Sequence, residues 1–239
     1  MPGLVQGIDC TMITLGLDTA TSACACAIWS ACEGRALAVR AEEMQRGQAE
    51  RLVPLVQDTL RNAGLRFADI NRIAVTVGPG TFTGLRIGLA AARGFALAAG
   101  CPLIGVTSLE VAVAGLSHEF AGCQTLAAIE SRREELFLQP FSAAGLPLAD
   151  PVDLSPAALR PLAATWFVPG PLVIVGDAAE RAAVALGDGR HDLRVIVTHG
   201  GDEALAGARI AAKLDTAAIA CRPAEPLYIR QPDVSLPGR

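Results

Sequence analysis

Three short apolar runs stand near the head of the chain, joined by turns too short for anything but hairpins. Ile13 to Asp18, Ala23 to Trp29 and Arg35 to Arg40 are separated by the polar Thr19-Ala20-Thr21-Ser22 and by a turn at Glu33-Gly34. A parallel crossover needs a dozen or more residues, so the three strands must be antiparallel. Leu52, Leu55, Val56, Thr59 and Leu60 then recur at helical spacing, with Pro54 to be placed in the first turn or at a kink. Ile73 to Val77 reads as a buried strand, Gly78 to Phe82 as a loop, Thr83 to Ala99 as a long helix ending at Gly100, and Leu103 to Val106 as another strand.

The same order returns in the second half without the same sequence. Strands are expected at Thr125 to Glu130 and Glu135 to Phe141, with a third at Leu146 to Leu148. Helix follows at Pro156 to Leu162, where Ser155 supplies a cap and proline the first helical position. Leu172 to Val175, Ala178 to Leu186, Leu193 to Val197 and Glu203 to Ala220 complete strand, helix, strand and long helix. The expectation is an α/β protein of two duplicated βββαβα domains, one over residues 12–110 and one over 111–221. Residues 222–239, with four prolines, are expected to pack back on the first domain in extended form, and residues 1–11 to be a disordered lead.

Composition narrows the function. Hydrophobic residues make up 51% and charged ones 18% of the 239, which excludes a disordered chain. Twenty basic against 24 acidic side chains leave a net charge of −4, unfavourable for a protein that grips nucleic acid alone. Aromatics, at 4%, leave few surfaces for base stacking. The most apolar stretch, Ile87 to Gly100, is cut by Arg93 and is too short to span a bilayer. Seven scattered cysteines form no disulfide framework, so a reduced, cytoplasmic location is expected.

Two places could carry chemistry. Gly78-Pro79-Gly80-Thr81-Phe82-Thr83-Gly84 joins a strand to a helix, where backbone N–H groups can face an anion. It matches neither the dinucleotide fingerprint nor the phosphate loop, and tight turning with close helix–sheet packing is the favoured reading. Asp18, Thr19 and Ser22 could hold a phosphate or hydrated metal, or form a turn bonded to itself. Cys24 and Cys26 read as small buried hydrophobes, and Glu130, Arg132, Arg133, Glu134 and Glu135 as solvated surface. The helix after the loop is apolar or small nearly all round, and Gly88, Ala92 and Ala96 at spacing of four make a strip that would admit another helix. No His-x-x-x-His pair and no Gly-x-Ser-x-Gly elbow occurs.

From Ile13 onward the chain resembles the TsaB (YeaZ) family of the machinery that makes threonylcarbamoyladenosine in bacterial tRNA. The resemblance rests on Leu17-Asp18-Thr19-Ala20-Thr21-Ser22, Ala49-Glu50-Arg51-Leu52-Val53-Pro54, the loop from Gly78 to Gly88, Gly105-Val106-Thr107-Ser108-Leu109, Arg133-Glu134-Glu135-Leu136 and Pro226-Leu227-Tyr228-Ile229-Arg230. Gln48 departs from it, standing where relatives often have histidine. The resemblance implies an actin-like ATPase (ASKHA) fold and a non-catalytic subunit that binds the transferase TsaD, with TsaE as a further partner. A homodimer is implied when TsaD is absent, and tRNA contact only within the complex. It implies no cofactor on this chain, ATP and metal belonging to the partners. Where TsaD carries two metal-binding histidines this chain has Ser108 and Ala112. The expected contact comprises Leu52, Leu55, Val56 and Thr59 on one helix and Leu85, Gly88, Leu89, Ala92 and Ala96 on the other. The competing reading is enzymatic, a glycopeptidase-like metalloprotease or a kinase of the same fold.

Overall fold

The computed structural model describes residues 12–44, 46–187, 192–198 and 201–230; the expected lead and the last nine residues lie outside them. In the first half β1 (Ile13–Asp18), β2 (Ala23–Ser30) and β3 (Arg35–Glu43) form the expected antiparallel meander. α1 (Gln48–Ala63) precedes β4 (Arg72–Gly78), α2 (Phe82–Ala99) precedes β5 (Leu103–Thr107), and α3 (Ser108–Ala114) follows. β4 and β5 add in parallel beside β1, giving the order β3-β2-β1-β4-β5. α1 starts earlier than its apolar spacing indicates, so Pro54 falls inside it.

The second half repeats this order. β6 (Gln124–Glu130), β7 (Leu136–Phe141) and β8 (Val152–Leu154) are antiparallel; β9 (Leu172–Val175) and β10 (Leu193–Ile196) join in parallel beside β6. The third strand is therefore β8, not Leu146 to Leu148, of which only a bridge from Phe141 to Pro147 forms. α4 (Pro156–Trp166) has proline in its first turn, although the Ser155 side chain makes no cap bond. After α5 (Ala179–Leu186) the expected long helix is two: α6 (Glu203–Ala212) and α7 (Thr216–Ala220). Asp215 breaks them by accepting from the Ala218 N–H and so capping α7.

The division at 110/111 needs correction, because the halves exchange helices. α1 and α2 cover one face of the first sheet through Leu15, Leu17, Cys24, Cys26 and Ile28. Its other face is covered by α6, from the second half, against β1, β2 and β4. Gly16 is what admits it: a Cβ there would lie 1.9 Å from the Ala204 carbonyl oxygen. In return α3 places Leu109 and Ala112 against Ala127, Ile129 and Val175 of the second sheet. α4 and α5 cover that sheet's remaining face.

Residues 222–230 of the tail pack as an extended strap. The Gly105 N–H donates to Arg222 O (3.1 Å) and the Leu227 N–H to Val77 O (2.8 Å), holding the strap on the first lobe. Arg222 pairs with Glu110, also on the first-lobe side. Arg230 then reaches Glu135 and Asp153 of the second sheet. The strap thus touches both lobes rather than the first alone.

Candidate functional site

The β1–β2 turn and the loop after β4 lie against each other. The Thr81 N–H donates to Ala20 O at 2.7 Å, and the Thr19 hydroxyl donates to Gly84 O at 2.7 Å. Cβ atoms at Gly80 and Gly84 would sit 2.4 Å and 1.9 Å from the carbonyl oxygens of Ala20 and Thr19. The glycines are thus required by close approach, and the cradle they make is filled by the chain's own carbonyls. Thr81 also caps α2, its hydroxyl accepting from the Gly84 N–H. Gly80 and Gly84 pack against the β1–β2 turn; at Gly78, with a φ of 113°, a Cβ would lie 3.1 Å from the strap's Leu227 carbonyl oxygen. Pro79 offers its carbonyl to the buried Ser108 hydroxyl at 2.7 Å.

Asp18 and Thr19 are buried, so neither stands open to a ligand. The Asp18 carboxylate accepts from the Ala20 N–H (3.4 Å) and the Thr21 hydroxyl (3.5 Å), the self-bonded turn. Burial pushes its pKa up, against hydrogen bonds from Thr76, Ala20 and Thr21, and Asp177 across the lobes adds to the rise. Asp177 is itself raised, first by burial and then by Glu130, although it accepts from the Glu130 N–H at 2.8 Å. Ala112, the second position of the metal pair implied by the resemblance, is buried in the core. Gln48 is buried too, its amide donating to Met44 O at 3.1 Å. Among the described residues no group of three or more His, Cys, Asp or Glu could hold a metal ion.

Between the lobes opens a cleft of about 910 Å³. Ser22, Thr21 and the start of α2 line it on one side, Asp177 and the β6–β7 turn on the other. Reading Glu130 to Glu135 as solvated surface missed what the fold does with this turn. Glu130 pairs with Arg181 and Glu135 with Arg230, while Arg132 and Arg133 face the cleft, opposite Arg46 of the first lobe. No local signal marks these arginines, because lobes far apart in sequence bring them together.

The expected contact residues require correction. Leu52, Leu55, Val56, Thr59, Leu85, Gly88, Leu89 and Ala92 are buried in their own lobe, and Ala96 packs half-buried on the same core. A helix apolar on all sides hides which side faces its own sheet; small residues at spacing of four were the inward side. The outward face carries Val53 on α1 and Ala90, Gly94 and Leu97 on α2, with Ile87 half-buried beside them. Leu97 is 86% exposed.

Two lobes with the same five-stranded strand order, a cleft between them and facing acidic strand ends define the actin-like ATPase fold class. Solved structures of a hexokinase, a dehydratase component and a pilus protein share that fold at 11–16% identity. Residues 39–146 match the family model of TsaD, tRNA N6-adenosine threonylcarbamoyltransferase. The TsaB of Escherichia coli K12, a tRNA threonylcarbamoyladenosine biosynthesis protein, is 40% identical over 126 residues. That alignment covers 53% of each, so the chain spans about half the length of this relative. An uncharacterized protein of Mycobacterium tuberculosis, Rv3421c, is 34% identical over 71% of this chain and 74% of its own. The solved YeaZ of Pseudomonas aeruginosa superposes with a TM-score of 0.73 at 26% identity, covering 91% of this chain and 99% of that one. The chain belongs to the TsaB (YeaZ) family.

Proposed function

We propose that this chain is a non-catalytic subunit of the bacterial machinery that makes threonylcarbamoyladenosine at position 37 of tRNA, and that it docks on the TsaD transferase. The observation that carries the reading is the use made of Ser108, whose hydroxyl is committed to Pro79 O at 2.7 Å in a buried contact. Its partner position, Ala112, has no ligand atom on its side chain, and serine is a poor substitute for imidazole on a borderline metal. The glycine cradle beside them is occupied by the Thr19 and Ala20 carbonyls. The fold's reactive positions have become internal packing, which leaves the surface to do the work.

The docking face in this reading is the outward side of α1 and α2, around Val53, Ala90, Gly94 and Leu97. Small and apolar residues there allow helix-on-helix burial, and the same face can pair with a second copy when TsaD is absent. TsaE joins the assembly, and ATP and metal are supplied by partner subunits. The test is size-exclusion chromatography of the chain mixed with TsaD of the same organism, beside an activity assay on the chain alone. Co-elution with no turnover by the isolated chain is expected; turnover by the chain alone refutes the non-catalytic role, and separate elution refutes the docking.

A further inference from the structure

We infer that the mouth of the interlobe cleft binds a single strand of RNA, through arginines on its phosphates and an aromatic pair on a base. This deepens the reading above and rests on it only for the choice of RNA as the nucleic acid. Arg46 enters the cleft from the first lobe and Arg132 from the second, both exposed. Neither has a carboxylate in ion-pair range among the described residues. Two of the acids nearby are already engaged: Glu130 by Arg181, and Asp177 by the Glu130 N–H. Glu50 is the remaining carboxylate at the rim. In a chain with a net charge of −4, this concentration of guanidinium groups is local and directed.

The β6–β7 turn is built to present it. Arg132 has a φ of 61°, a left-handed conformation that side-chain-bearing residues seldom adopt. The turn is held by the Ser131 hydroxyl, which donates to Glu135 O (2.6 Å) and accepts from the Arg133 N–H (3.2 Å). On the facing wall Phe82 and Tyr228, the chain's single tyrosine, are both about half exposed, with ring centroids 6.1 Å apart. Arg86 covers Phe82, its guanidinium 3.6 Å from the ring centroid. Charge on both walls, with the half-exposed Tyr228 ring beside it, fits successive phosphates and a stacked base. A free nucleotide is poorly served, since the Thr81 and Gly84 N–H groups that would cradle its phosphates bond within the protein.

The experiment is fluorescence anisotropy of a fluorescein-labelled, single-stranded 12-mer RNA titrated with the full chain at low salt. Saturable binding that weakens as salt rises is expected. Arg46→Gln and Arg132→Gln should each weaken it about fivefold or more and flatten the slope of log affinity against log salt by about 0.7. Tyr228→Ala should weaken it by a similar factor without changing the slope. Arg160→Gln, on α4, should bind as the natural chain does. Absence of saturable binding, unchanged affinity in both arginine variants, or displacement of the RNA by equimolar ATP would each overturn the inference. Leu97→Glu separates it from docking: loss of TsaD co-elution with RNA binding intact spares the cleft, and the reverse result spares the docking face.

Discussion

Gly84→Ala tests whether the glycine loop is a packed joint or an open cradle. The new Cβ would stand 1.9 Å from the Thr19 carbonyl oxygen and 2.5 Å from the Thr81 hydroxyl oxygen. Ordinary contact begins near 3.4 Å, so the hairpin must withdraw by 3.4 − 1.9, or 1.5 Å. That movement breaks the bonds from the Thr19 hydroxyl to Gly84 O and from the Thr81 N–H to Ala20 O, both 2.7 Å. Each buried bond lost costs about 1–3 kcal/mol. Alanine in a helix recovers about 1 kcal/mol over glycine, so with two bonds lost the expected net loss is about 1–5 kcal/mol. Gly94→Ala on the same helix supplies the control, since among the described residues nothing beyond its own helix backbone and chain neighbours lies within 4 Å of its Cβ position. It should gain about 0.5–1 kcal/mol. Urea unfolding with a constant m-value reads both. If Gly84→Ala proves as stable as the natural chain, or shifts in the same direction as Gly94→Ala, the carbonyls do not fill the loop and the argument against a ligand there fails.

Leu97→Glu should abolish co-elution with TsaD while changing the unfolding free energy by less than about 0.5 kcal/mol, as befits an exposed site; a charge at Ala92, by contrast, should unfold the lobe, and a folded Ala92→Glu chain would contradict its burial. Asp18 keeps its proton to higher pH folded than unfolded, so between the ordinary aspartate pKa and its raised folded value stability falls as pH rises. Asp18→Asn should therefore stabilise the chain at pH 7 and lessen the gain on mild acidification; a less stable variant at pH 7 would refute this. Glu110 runs the other way: burial raises its pKa, but bonds from Arg222 and Thr107 outweigh that and hold it below the ordinary value. Its contribution is full above the unfolded pKa and lost as pH falls through the folded one, so Arg222→Ala should cost about 1–2 kcal/mol at pH 7 and less in acid, measured by denaturant unfolding at both pH values.

Much of the site was legible locally. The turn between Asp18 and Ala23 had to be tight because the runs beside it are strands, and an aspartate in such a turn accepts from its own backbone, as Asp18 does from the Ala20 N–H. The loop from Gly78 to Gly84 announced a close approach, since glycines between a strand and a helix admit a neighbour's backbone. What no window of sequence could reveal is which neighbour that was. Thr19 and Ala20 fill the loop because β1 and β4 are adjacent in the sheet, a pairing of residues some sixty positions apart. The arginines at the cleft are of the same kind: Arg132 and Arg133 read as a charged turn until Arg46 faces them.

From sequence alone came the duplicated order of strands and helices, the antiparallel opening of each half and the family, because turn length, apolar spacing and motif residues are properties of contiguous chain. Tertiary structure alone decided that α6 crosses to the first sheet and α3 to the second, which side of α2 turns outward, and that the strap reaches both lobes. Those choices depend on which apolar surfaces meet. Burial rewards any well-matched pair of faces, so its outcome is fixed only when the whole molecule closes.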